Sequence, residues 1–180
     1  MDLPRIGSLA SLPASGRLDL LGSPVARALG GWPHAGEVAV VEIDPALADT
    51  AAMTQAYDVP LAASANCVVV SGRRDGAERV AACVVLADTR ADVNNLVKRS
   101  LDVRKASFLP MDRAVEESCM EYGGITPLGL PPGWRLFVDA ACLDIEVAVI
   151  GSGVRRSKLL LPGHRLADLP GAEVLAALGR

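Results

Sequence analysis

Aromatic side chains are scarce in this sequence, with two each of Trp, Tyr and Phe among 180 residues. A core assembled around rings is therefore excluded. Since 51% of the residues are hydrophobic, the interior must be aliphatic and its strands rich in valine. Histidine is as scarce: His34 lies in a Gly/Pro-rich segment and His164 in a turn, and both read as surface residues. A Ser-His-Asp triad thus has almost no material to be built from. The four cysteines, Cys67, Cys83, Cys119 and Cys142, stand far apart without CxxC spacing. They read as free thiols in a reducing cytoplasm, and neither a metal site nor any cofactor is expected. No run of about 18 apolar residues is present, so no membrane span is expected. The N-terminus lacks the basic start and apolar run of a signal peptide, which makes a cytoplasmic location the expectation. A GxSxG elbow, an HExxH pair, a Walker loop and a GxGxxG turn are all missing. The net charge of −3, with both signs mixed along the chain, creates no overall field toward nucleic acid or anionic membrane. Contact with nucleic acid would need a local patch.

What the sequence does have is a stiff, nearly uncharged stretch, Glu121-Tyr-Gly-Gly-Ile-Thr-Pro-Leu-Gly-Leu-Pro-Pro-Gly133. Neither a regular helix nor a central strand can run through it. Gly123 and Gly124 permit unusual backbone angles, and Pro127 biases Thr126 toward extended geometry. Ile125, Leu128 and Leu130 are apolar, unlike a solvated linker. This predicts a partly buried loop with free backbone N–H groups and one hydroxyl, Thr126, suited to a pocket wall or to a structural turn. A second glycine-rich turn, Gly151-Ser152-Gly153-Val-Arg155-Arg156-Ser-Lys158, combines a potential nest of N–H groups with positive charge, as phosphate binding requires. Strand alternation would put Arg156 and Lys158 on one face. An exposed basic turn without a partner fits the same residues. Acid–base candidates are thin. Asp139 reads as a turn cap rather than a buried acid, Glu121 can accept a bond from its own loop, and Glu116 projects into water.

Taken in order, residues 1 to about 15 read as a loose arm, and the domain proper is expected over 21–180 after an N-terminal arm of 1–20. A short helix is predicted over 25–29, stopped by Gly30-Gly31, and a strand over 37–43. Asp44-Pro45 would cap a helix reaching Tyr57. Strands at 67–71 and 80–86 flank a charged hairpin loop. A helix over 91–101, a strand at 104–108 and a helix from Asp112 to Met120 follow. Strands are expected at 135–139, 146–150 and 159–161, and a closing helix over 172–178. Strands and helices mix without a βαβ period, which predicts a single compact α+β domain.

Four segments in this order resemble the YbaK/EbsC family, the free-standing relatives of the editing domain of bacterial prolyl-tRNA synthetases. They are Leu101 to Phe108 (LDVRKASF), Gly123-Gly-Ile-Thr-Pro-Leu-Gly129, Val138-Asp139, and Gly151-Ser-Gly153 with its basic sequel. The likeness covers roughly residues 45 to 178. It implies an α+β fold with a curved, partly closed mixed sheet flanked by helices. It also implies hydrolysis in trans of the ester joining a wrong amino acid to the acceptor end of tRNA. In such proteins the loop corresponding to Gly123, Gly124, Ile125, Thr126 and Pro127 positions the aminoacyl group, and the terminal ribose hydroxyl aids the attacking water without a metal. Gly151, Ser152, Gly153, Arg156 and Lys158 would then meet the phosphates. The family carries a lysine at the start of the strand after the first amphipathic helix, where this chain has Asn66. Asn donates hydrogen bonds but brings no charge. Either another cation, Lys158 or Arg156, reaches the site, or the substrate differs, or hydrolysis has weakened and the chain keeps a cavity for an aminoacyl-adenosine or nucleotide-like ligand. A homodimer is left open and unsupported by the sequence.

Overall fold

The structure, a computed structural model, describes residues 3–180. Among the described residues nine strands form two open sheets: β1 (Leu12–Pro13), β2 (Ala39–Glu42), β3 (Ala65–Arg74), β4 (Ala77–Leu86), β5 (Ala106–Phe108), β6 (Arg135–Asp139), β7 (Ala148–Gly151), β8 (Ser157–Leu161) and β9 (Ala172–Leu175). The first sheet has the order β1-β2-β8-β7 and the second β5-β3-β4-β6-β9. The pairs β4–β6 and β6–β9 are parallel and the others antiparallel. The α+β expectation holds, but the single, partly closed sheet becomes two open ones that meet at a bridge between Ser64 and Val149.

Alternation along the strands explains the layering. Val40, Leu159, Leu161 and Ile150 of the first sheet face Ala82, Val84, Leu136 and Val138 of the second, and together they form the main core. Ala39, Val41, Val149 and Leu160 turn the opposite way, onto Met53 of helix α2 (Thr50–Ala56). On the far face of the second sheet, Val70, Ala81, Val85 and Phe137 pack on Val97 and Leu101. Val97 ends a wide helical turn, Val93–Val97, that tightens into α3 (Lys98–Ser100), and Leu101 caps α3. Helix α1 (Ser23–Gly31) closes one end of the main core through Val25 and Leu29, and α4 (Met111–Ser118) stands beside β3.

Several elements differ from the sequence reading. The described residues of the supposed arm are packed: Leu9, Ala14 and Leu20 are buried, and β1 pairs with β2. Residues 1 and 2 lie outside the described residues. Apolar side chains at this spacing gain more by burial than a short terminal segment loses in freedom. The charged hairpin loop is mostly strand, since β3 and β4 stay paired to Arg74↔Ala77. Asp75 and Gly76, both at positive φ, make the turn. Asp44 caps only a 3₁₀ turn, Pro45–Leu47, and α2 starts after a second cap, Asp49, whose carboxylate accepts from Ala51 N. The predicted closing helix is the edge strand β9, paired with Leu136–Asp139.

Candidate functional site

Strand β3 is covered by β4 along its whole length, but β5 covers its other edge only over Val70–Gly72. Beyond it Val69 O accepts from Leu109 N (2.9 Å) and Ser64 bridges to Val149, which leaves the Asn66–Val68 stretch of that edge beside a cavity of about 390 Å³. Its walls come from α2 (Met53) and the turn before it (Ala48, Asp49), β3 (Asn66), the glycine loop (Gly123, Ile125) and β7–β8 (Gly151, Lys158). Segments far apart in the chain, the glycine loop, β3 and β8, thus line one cavity.

The two glycine-rich loops are locked together. Glu121 N donates to Gly153 O (2.9 Å) and Gly153 N to Gly124 O (2.8 Å). A Cβ on Gly151 would lie 2.5 Å from Gly124 O, so only glycine allows this approach. The locking also engages two donors of the supposed phosphate nest. Gly153 N is taken, and Arg155 N donates to Glu121 Oε2 (2.6 Å). Ser152 is buried and its hydroxyl pairs with Ser157 Oγ at 2.7 Å. Arg156 precedes β8 and donates to Asp19 O. Ser152, Gly153 and Arg156 therefore do not line the cavity, because the turn meets the core and the other loop rather than a ligand. Gly124, Thr126 and Pro127 are buried behind the wall, and the Thr126 hydroxyl has no partner.

Lys158 does reach the cavity. Alternation in β8 puts it on the face of Leu160, toward α2. The residue is only 7% exposed, and its ammonium donates to Ala48 O (3.0 Å) and Gly123 O (3.4 Å). Burial pulls its pKa below the ordinary lysine value, the Arg155 charge adds to this, and Asp49 opposes it. Asn66 accepts from Thr50 Oγ1 at 3.0 Å through Oδ1. Its N–H₂ edge therefore donates to no other described residue. The N–H groups of Gly123 and Ile125 likewise have no acceptor among the described residues. One cavity thus holds a buried cation and several unsatisfied donors, the equipment for stabilising an oxyanion.

Other chemistries fit less well. Cys67 lines the cavity, but burial, with the Cys83 thiol adding to it, pushes its thiol far up, so it is a poor thiolate. His34 bonds Glu37 and packs edge-on against Trp32, and His164 is exposed. Asp139 caps a turn through Ala141 N and holds Gly179 N at 2.7 Å, but it is also buried, against the sequence reading, because β9 and the C-terminal residues cover it. No group of three or more His, Cys, Asp or Glu among the described residues could hold a metal ion, and no described helix is long and apolar enough to cross a membrane. The sequence reading missed Asp49, Thr50, Ser64, Phe108, Met111 and Tyr122 as lining residues. Only the Asp49-Thr50 pair, a helix-start signal, was visible locally.

Similar solved structures share the architecture. One is the hypothetical protein APE2540, at 23% identity and TM-score 0.69, covering 78% of this chain and 90% of that one. Another is a candidate trans-editing enzyme for prolyl tRNA synthetase, at 17% identity and TM-score 0.70, covering 93% and 98%. At these identities the likeness is one of fold. The model of the aminoacyl-tRNA editing domain matches residues 44–169, which include every cavity residue named above. With the greater part of its length inside that match, the chain belongs to the aminoacyl-tRNA editing domain family.

Proposed function

We propose that the protein acts in trans as a deacylase, hydrolysing the ester between an amino acid and the 3′ end of a mischarged tRNA. One observation carries this reading: Lys158 supplies a buried cation to the cavity where Asn66 stands in the place of the family's lysine. Charge lost on β3 is available from β8.

In the proposed reaction, water adds to the ester carbonyl and negative charge develops on the carbonyl oxygen. Lys158, the Asn66 amide and the free N–H groups of Gly123 and Ile125 receive that charge. The tetrahedral intermediate then collapses. The ribose oxygen leaves with a proton, freeing the amino acid and restoring the tRNA terminus. Because an ester is already activated, orientation and charge stabilisation supply most of the acceleration. Lys158 thus serves the reacting atoms rather than a phosphate. A cavity kept only for binding finds no support in a family match that describes an editing domain.

The test is a panel of mischarged tRNAs incubated with the protein. Release of at least one amino acid well above the buffer rate, lost in Lys158→Met, is expected. Buffer-level release across the whole panel overturns the reading.

A further inference from the structure

The deep wall of the cavity is apolar. Met53, Ala65, Val149 and Ile150 line it and are almost fully buried. One polar side chain interrupts it, Ser64, which also lines the cavity and is 2% exposed. Its backbone is fully engaged, with Ser64 N donating to Leu61 O (3.0 Å) and Ala87 N donating to Ser64 O (2.9 Å). Its hydroxyl has no partner among the described residues. Buried hydroxyls are nearly always hydrogen-bonded, and an unpaired one destabilises the fold. The other orphan, Thr126, is not among the cavity's lining residues. Ser64 therefore holds unused hydrogen-bonding capacity within the cavity wall: its oxygen has almost no accessible surface in the present rotamer, and a change of χ1 is what would present it to a ligand.

Its place on the chain gives that capacity a direction. Ser64 is extended, at φ −89° and ψ 125°, immediately before β3. It therefore shares a face with Asn66, about 7 Å away along the strand. That separation suits a small group held at both ends, its ester carbonyl at the Asn66 amide and the tip of a short side chain at Ser64. A serine hydroxyl donates and accepts, and rotation about χ1 swings it between three wells, so it can meet a partner hydroxyl in either sense.

We propose that Ser64 reads the amino-acid side chain and makes the cavity selective for short side chains bearing a hydroxyl, seryl or threonyl, over alanyl or valyl. The inference rests on the aminoacyl-ester reading above. A site that hydrogen-bonds a substrate hydroxyl rejects the analogue lacking it, because its own polar group is then left buried and unpaired.

The experiment uses the full chain and two non-hydrolysable probes, adenosine carrying a seryl or an alanyl group through a 3′ amide. Calorimetric binding is measured alongside deacylation of seryl- and alanyl-tRNA. The wild type is expected to favour the seryl probe at least tenfold, and Ser64→Ala to bring the seryl-to-alanyl ratio near one. Ser64→Ala should melt no lower than the wild type, since it removes an unpaired hydroxyl. An undiminished seryl preference in Ser64→Ala, or a wild-type preference for alanyl, overturns the proposal while leaving the deacylase reading standing. Failure of the wild type to bind either probe or cleave any mischarged tRNA overturns the deacylase reading, and this inference with it.

Discussion

The Lys158 ammonium of β8 donates to the carbonyl oxygen of Gly123 across 3.4 Å, tying a strand residue to the loop thirty-five positions earlier. A single side chain thus both carries positive charge into the cavity and holds the loop that walls it. Lys158→Met, which keeps length but loses charge, is expected to lower deacylation by roughly 100-fold or more, as loss of an oxyanion donor does. Lys158→Arg should retain part of the rate. Single-turnover assays on a mischarged tRNA, with melting curves to verify folding, check both.

The depressed pKa of Lys158 gives the site a pH signature. Burial, its largest cause, disfavours the charged form in the fold. The ammonium is present at low pH and is lost as pH rises through a value below 10.5, so binding of an amide-linked aminoacyl adenosine should weaken there. Arg155→Ala removes the neighbouring positive charge and should move that limb upward. The stability linkage has a definite sign. Below its folded pKa the lysine is charged in both folded and unfolded chains, and the fold bears the full penalty. Stability therefore climbs from the folded pKa to the unfolded 10.5. Urea midpoints against pH should show this climb in the wild type and lose it in Lys158→Met.

Asn66→Lys introduces the residue type that the sequence resemblance implies at this position, yet no gain in rate is expected. Lys158 already lines the same cavity, and a second ammonium there would lower the pKa of both. The new side chain would also lose the bond from Thr50 Oγ1. A large gain in deacylation would show that Lys158 does not serve as the site's cation.

Gly151→Ala should cost about 1–3 kcal/mol through overpacking, because the new Cβ meets backbone oxygens at 2.5 and 2.8 Å. Gly36→Ala, with nothing within 4 Å of its Cβ, is the control and should stay within about 0.5 kcal/mol. Denaturant midpoints of the two variants measure the difference.

Thiol labelling of the native chain should begin at Cys119, the exposed cysteine. Burial pushes Cys83 and Cys142 up to about 12, so they should react only after unfolding. Mass spectrometry of a timed reaction gives the order.

Wherever local chemistry settles the backbone, this sequence was sufficient. The valine-rich runs of β3 and β4 are continuous apolar stretches, Asp139 caps its turn, and the Gly123–Pro127 loop can be neither helix nor strand. Long-range packing decided the rest. Residues 172–175 carry an Ala-Glu-Val-Leu pattern that a helix tolerates, and they became strand only because the edge of β6 was free to pair with them. The basic turn looked like a phosphate nest, but its amides are spent on a loop some thirty residues away. Nothing in the neighbours of Ser64 along the chain reveals that β7 presses against it or that its hydroxyl is left unpaired. Patterns of two to four residues record turns, caps and strand faces. Which donors remain free and which charge reaches a cavity depends on contacts between segments far apart in the chain, and only the folded arrangement holds that information.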